Sequence, residues 1–143
     1  MDAWTRDGAW AAIPAAVLSG LPSAAYGLLR GREVLEAAAA AGALVAPWER
    51  RRSRLVVYAV PVHGVISFFW SVLLARVLPC RSTLLFAVAG GGAIAALDLG
   101  VIGRRLPAIR SLDQGPQVVD HLAFGGLVGA VVALRRARRH VAR

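Results

Sequence analysis

The chain has 143 residues, of which 57% are hydrophobic and only 17% are charged, and its formal net charge is +9. Its mean hydropathy is +0.59, whereas a soluble domain is typically about a quarter charged. Charged residues are absent from long stretches and concentrated between them, as in proteins that cross a membrane several times. The composition therefore excludes a soluble enzyme, a disordered tail and a disulfide scaffold. The lone cysteine, Cys80, also excludes redox chemistry of the CxxC type.

The first apolar stretch covers residues 9–29 and is long enough to cross a hydrocarbon core about 30 Å thick. Residues 1–7 contain one arginine and two aspartates, so they lack the positive region of a signal peptide. We therefore expect an uncleaved first span. Pro14 and Pro22 should bend it, which neighbouring helices can accommodate in a membrane.

An alanine-rich segment at residues 33–46 predicts a helix, because alanine loses no side-chain entropy in a helix. Glu33 and Glu36 would lie in its first turn, where the helix dipole favours negative charge. At about 1.5 Å per residue the helix is too short for a full crossing. We expect it to be interfacial or re-entrant, with a short fifth span as the alternative.

Three more spans are predicted at residues 55–78, 82–102 and 116–134, followed by a basic tail at residues 135–143. Together these elements predict an all-α integral membrane protein, a four-helix bundle in one domain with a short interfacial or re-entrant helix between spans 1 and 2. Small residues recur at every fourth position of three spans, which is typical of close contacts between membrane helices or with a second copy. They are Ala12, Ala16, Gly20 and Ala24; Gly92, Ala96 and Gly100; and Gly125, Gly129 and Ala133.

The orientation in the membrane stays open at this point. Four crossings place eight arginines on one side and nine on the other, whereas the positive-inside rule needs an imbalance. The basic stretches beside the spans indicate contact with anionic lipid headgroups rather than with nucleic acid.

The most informative feature is a group of ionisable residues that four alternating crossings place in one leaflet. It consists of His63, Asp98, Asp120 and His121, with Arg104, Arg105 and Glu36 as candidate charge partners. Tyr26 could also approach this group. Ionisable residues inside spans are costly and commonly have a structural or functional role.

Three interpretations of this group remain open. It can be a polar lock that fixes the register of packed helices. It can be a proton- or cation-responsive site in which a histidine titrates beside a carboxylate, with Ser67 and Ser71 extending a polar stripe from His63. A haem or metal site is third, but no CxxCH, HExxH or ExxH pattern supports it, so we predict no cofactor and no metal ligand.

Two stretches carry a resemblance to a known group of proteins: HGVISFFWSVLLARVLP at residues 63–79, and residues 95–125, which include AALDLGVIGRRLPAIRSL and PQVVDHLAFG. They resemble uncharacterised small four-span integral membrane proteins of high-GC actinobacteria. The resemblance implies a multi-pass protein of the bacterial cell (cytoplasmic) membrane and no particular activity. The absence of lysine and asparagine also fits a high-GC source.

The sequence thus favours a non-enzymatic membrane protein that serves as an assembly or interaction component. Its partners would be the lipid bilayer and a second copy or another membrane protein. The alternative is a minimal proton- or cation-coupled transporter or sensor built on the His/Asp cluster, and a membrane haem or metal protein is the third.

Overall fold

The computed structural model describes residues 1–141, which form helices and turns with no β-strand in that range. The helices are α1 (Ala3–Leu18), α2 (Leu21–Leu29), α3 (Glu36–Gly42), α4 (Arg52–Val77), α5 (Thr83–Leu97), α6 (Pro107–Arg110) and α7 (Gln114–Val141). A π-helical turn, Asp98–Ile102, and a 3-10 turn, Gly103–Arg105, continue α5. The predicted all-α class is confirmed.

Four helical segments are long and apolar enough to cross a membrane: Ala3–Leu29, Arg52–Val77, Thr83–Arg105 and Gln114–Val141. Each coincides with a predicted span but extends further at its polar ends. Most of residues 1–7, which precede the predicted first span, are therefore helical. The predicted basic tail continues α7 as far as Val141, and residues 142–143 lie outside the described part.

The first segment is interrupted at Ser19 and Gly20, where α1 ends and α2 begins. Pro22 lies in the first turn of α2, where its missing N–H costs nothing, while Pro14 lies inside α1. One of the two prolines expected to bend this span thus coincides with the interruption.

The alanine-rich segment forms a shorter helix than the predicted 33–46, because α3 covers only Glu36–Gly42. At about 1.5 Å per residue it is far too short to span a bilayer. Pro47 follows Ala46 and disfavours helical backbone there, and the turn before it closes with hydrogen bonds from Leu44 to Ala41 and from Val45 to Gly42. The helix folds back on α4, where a methyl group at Gly42 would overlap the backbone of Leu55.

The long helices pack through small residues that let their backbones approach closely. In the pair α5 and α7, a methyl group at Gly91 or Gly125 would overlap the backbone of the other helix. Helix α1 lies between α4 and α7, and a methyl group at Gly8 would lie 2.5 Å from the Cα atom of Val72. The buried core is correspondingly small-residue rich and contains Ala11, Ala15, Leu74, Ala75, Leu78, Ala87, Ile94, Phe124, Val128 and Val132.

The predicted small-residue faces are right for α7 and partly wrong elsewhere. Gly125 and Gly129 are buried as expected. On α5 the buried positions are Ala87, Gly91 and Ala95, whereas Ala96 is exposed. The predicted register there was one residue off, because an alanine- and glycine-rich helix offers small residues on every face.

Candidate functional site

Asp98 and His121 are the pair of predicted site residues that the fold brings into direct contact. The Oδ2 atom of Asp98 lies 3.5 Å from the Nε2 atom of His121. Both side chains are about one quarter exposed, at 26% and 23%. The pair joins the end of α5 to the second turn of α7, about two turns beyond the close approach at Gly91.

The other nitrogen of His121 fixes how this pair shares protons. Its Nδ1 atom lies 2.8 Å from the carbonyl oxygen of Gln117, and because a carbonyl oxygen only accepts, Nδ1 carries a hydrogen. A neutral ring in this tautomer presents the lone pair of Nε2 to the carboxylate of Asp98. Attraction between the two side chains therefore requires one further proton, on either Nε2 or the carboxyl group.

Asp98 begins the π-helical turn Asp98–Ile102. Such turns insert one residue into the α-helical repeat and often occur at functional sites. The N–H group of Gly103 donates to the Asp98 carbonyl, and a methyl group at Gly103 would lie 2.7 Å from both this oxygen and the Cγ2 atom of Ile109. Glycine at 103 thus lets the turn pack against α6.

Asp120 contacts a different element. Its Oδ1 atom accepts a hydrogen bond of 2.9 Å from the backbone N–H of Ser23, the third residue of α2. The residue before α2, Gly20, has no side chain that could cap the helix. Asp120 on α7 therefore accepts an N–H group from the first turn of α2, as the side chain of an N-cap residue normally does.

His63 joins α4 to the first span. Its Nε2 atom lies 3.0 Å from the carbonyl oxygen of Ala16, which is in the last turn of α1, where carbonyl groups lack intrahelical partners. The predicted stripe of Ser67 and Ser71 is buried, and within residues 1–141 the hydroxyl of Ser71 has no hydrogen-bond partner. His63 thus satisfies a carbonyl at the interruption between α1 and α2.

The predicted charge partners lie elsewhere. Glu36 pairs with Arg32 at 3.3 Å, and Arg104 and Arg105 are exposed and form no ion pair within the described residues. The hydroxyl of Tyr26, on α2, donates a 2.7 Å hydrogen bond to Asp113, the residue before α7. The adjacent cavity, of about 30 Å³, has room for a water molecule.

A second polar cluster lies at the opposite end of the helices and was missed in the sequence. Asp7 is only 1% exposed. It accepts hydrogen bonds from Arg135 at 2.9 Å and from two nitrogens of Arg139 at 2.6 Å each. Two features of the sequence could have indicated this cluster. Asp7 lies one and two helical turns before Ala11 and Ala15, on the buried face of α1, and α7 ends in a run of basic residues.

Arg136 adds a further contact at this end. Its guanidinium donates to the carbonyl oxygens of Ala75, Leu78 and Pro79 at 3.0 to 3.1 Å. The last carbonyls of a helix lack partners, and a cation is favourable at the negative end of the helix dipole. Arg136 thus caps α4 from α7.

Nothing within residues 1–141 groups three or more histidine, cysteine, aspartate or glutamate side chains so that they could hold a metal ion. No protein-family model, no curated protein and no solved structure matches this chain. The contacts described above are therefore the basis for assigning a function.

Proposed function

We propose that this chain is a multi-pass integral membrane protein with a non-catalytic role. In this proposal it is a compact four-helix component of the bacterial cell membrane that assembles with a second copy or another membrane protein. The four apolar segments support it, as do the large apolar side chains that α4 and α5 leave exposed. These include Val57, Val60, Val65, Phe68, Phe69, Leu84, Leu85 and Phe86, which lipid tails would cover.

The observation that carries the non-catalytic role is that polar groups in the long helices hold other helices. Asp120 caps α2, His63 binds the end of α1, and Arg136 caps α4. Unsatisfied polar groups are costly in a hydrocarbon environment, so such contacts fix which helices pack together. Under this proposal α3 lies at the membrane surface, folded against the start of α4.

The membrane topology can be tested with the natural cysteine. Cys80 is exposed in the turn between α4 and α5, so four crossings place it on the side opposite the loop that contains Gly31. A membrane-impermeant maleimide applied to sealed vesicles should label Cys80 and a Trp48→Cys variant (made with Cys80→Ser) from opposite sides, since Trp48 is exposed and lies, like Gly31, between α2 and α4. Labelling of both from one side, or extraction of the protein by alkaline carbonate, would contradict the proposal.

Assembly can be tested on the protein extracted under mild conditions. The mass of the particle in lipid nanodiscs, after subtraction of lipid and scaffold, should exceed the 15.0 kDa of one chain. A single chain per particle at every protein concentration would contradict an assembly role. The matched variant is Asp120→Ala, which should loosen the fold and reduce assembly together.

A second candidate function rests on the pair of Asp98 and His121. Because attraction between Asp98 and His121 requires one further proton on either side chain, the pair is suited to a proton-responsive sensor or a proton- or cation-coupled transporter. This alternative predicts pH-dependent transport or signalling that disappears in Asp98→Asn while the protein still assembles. No observation among the described residues favours the haem or metal alternative.

A further inference from the structure

A half-open cavity of about 450 Å³ lies between the last turns of α7 and the start of α5. We propose that it binds the phosphate group of an anionic phospholipid. This inference rests on the proposed membrane location and deepens it by naming a lipid class. The walls include Thr83, Ala133, Arg136, Ala137, Arg139 and His140. The volume falls within the range of sites that bind small molecules, about 300 to 1,000 Å³.

The cavity wall carries positive charge that the other residues within 1–141 do not neutralise. Arg136 donates only to neutral carbonyl oxygens among the described residues. Arg139 shares the single carboxylate of Asp7 with Arg135, so two cations face one anion. An anionic ligand would therefore meet a net positive charge at this wall.

Both guanidinium groups keep hydrogen-bond donors for such a ligand. Each arginine has five N–H donors. Within residues 1–141, Arg136 uses three of them for carbonyl groups and Arg139 uses two for Asp7. Their internal contacts also hold the two side chains in place, which lowers the entropy cost of binding. Arginine commonly binds phosphate through two parallel N–H groups in the plane of the guanidinium.

Small and apolar residues accompany the basic side chains at this cavity. The small side chains of Ala133 and Ala137 leave open space between the basic side chains of the cavity wall, and Ala137 is exposed. Leu84 and Leu134 are the neighbours of Thr83 and Ala133 on the two helices and are 53% and 60% exposed. They offer apolar surface to acyl chains beside a basic headgroup site.

Native mass spectrometry of the full chain in detergent tests the proposal. The probes are short-chain phosphatidylglycerol, phosphatidylcholine, diacylglycerol and inorganic phosphate. The variant Ala137→Glu places a carboxylate in the cavity, and Ala137→Leu fills it without adding charge. The matched control is Arg138→Ala, which also changes the net charge by one unit but removes a side chain that is absent from the cavity wall.

We expect phosphatidylglycerol to bind in preference to phosphatidylcholine, and diacylglycerol not to bind. Ala137→Glu should weaken phosphatidylglycerol binding about fivefold or more, the ratio expected of one charge at a lipid surface, and Ala137→Leu should also weaken it. Arg138→Ala should stay within about twofold of the wild type. Equal losses in Ala137→Glu and Arg138→Ala, or inorganic phosphate bound as tightly as the lipid, would overturn the proposal. Such a failure in a protein that still resists carbonate extraction leaves the proposed function intact, whereas a soluble protein refutes both.

Discussion

Arg139 donates two parallel hydrogen bonds of 2.6 Å to the buried carboxylate of Asp7. This contact joins the first turns of α1 to the last turns of α7. Arg135 approaches the same carboxylate and also stacks over the ring of Trp10 at 5.4 Å. A paired, planar contact of this kind is the strongest form of ion pair in proteins. The two ends of the described chain are thus held together at one end of the helices.

Replacing Asp7 by asparagine should destabilise the fold more than any other single change of charge. The substitution removes the counter-ion of two arginines whose side chains are 31% and 37% exposed, and the loss of charged hydrogen bonds should cost about 1.5 to 3 kcal/mol. The free energy of unfolding in detergent micelles measures the effect. The control is Asp2→Asn, because Asp2 is exposed and should tolerate the change within about 0.5 kcal/mol. Equal stability of the two variants would refute a locking role for Asp7.

The capping role of Asp120 predicts a difference between two substitutions. Asp120→Asn keeps an oxygen that can accept the N–H of Ser23 and should leave stability nearly unchanged. Asp120→Ala removes the acceptor and should cost about 1 kcal/mol, as for loss of an N-cap. Thermal unfolding in micelles distinguishes them. If asparagine is as harmful as alanine, the charge of Asp120 and not its hydrogen bond is what matters.

The close contact of α5 and α7 predicts a position-specific effect of adding one methyl group. At Gly125 the methyl would overlap the carbonyl of Ala87, so Gly125→Ala should destabilise by about 1 to 3 kcal/mol. At the neighbouring Gly126 it would lie 3.7 Å from Val88. Gly126→Ala should therefore be neutral or stabilise by up to about 1 kcal/mol, because alanine favours helix. Unfolding measurements in which the order is reversed would contradict the packing.

The contacts of Glu49, just before α4, predict that the stability of the fold depends on pH. Hydrogen bonds from the backbone N–H of Arg51, then of Arg50, and the charge of Arg54 hold the pKa of Glu49 below its ordinary value of 4.5. A carboxyl group whose pKa is lower in the folded state stabilises the fold above its unfolded pKa and loses this effect as pH falls through the folded value.

We therefore expect the wild type to be more stable than Glu49→Gln above about pH 4.5, with the difference disappearing at lower pH. Thermal unfolding of both proteins between about pH 7 and pH 3 checks this. A difference that is independent of pH would mean that the charge of Glu49 does not contribute.

The sequence predicted the helical class and the position of the four long helices because these depend on local hydropathy and length. It did not predict their ends. The apolar pattern predicts a first span that begins at residue 9, after the charged Arg6 and Asp7. In the structure Asp7 lies inside α1, where Arg135 and Arg139 neutralise it. The π-helical turn at Asp98 was not predicted either, because no residue in the sequence distinguishes it from the α-helix that it continues.

The candidate site could be predicted only in part, for a similar reason. Alternating crossings predict a common depth for His63, Asp98, Asp120 and His121, since depth along a helix follows from residue number. The structure brings Asp98 and His121 into direct contact. The partners of Asp120 and His63 are backbone groups at the break between α1 and α2. Nothing in the sequence specifies which backbone groups a break leaves free, so these two contacts required the three-dimensional structure.

The central claim is that polar contacts between the helices hold the fold together, and that the pair of Asp98 and His121, on which the alternative function rests, does not conduct ions. Proteoliposomes with an imposed pH gradient test it most directly, using the wild type, Asp98→Asn and Asp98→Ala. We predict that wild-type vesicles hold the gradient as long as protein-free vesicles, and that Asp98→Ala lowers the free energy of unfolding by about 1 kcal/mol or more. Rapid loss of the gradient with the wild type, abolished by Asp98→Asn in a protein of unchanged stability, would contradict the claim.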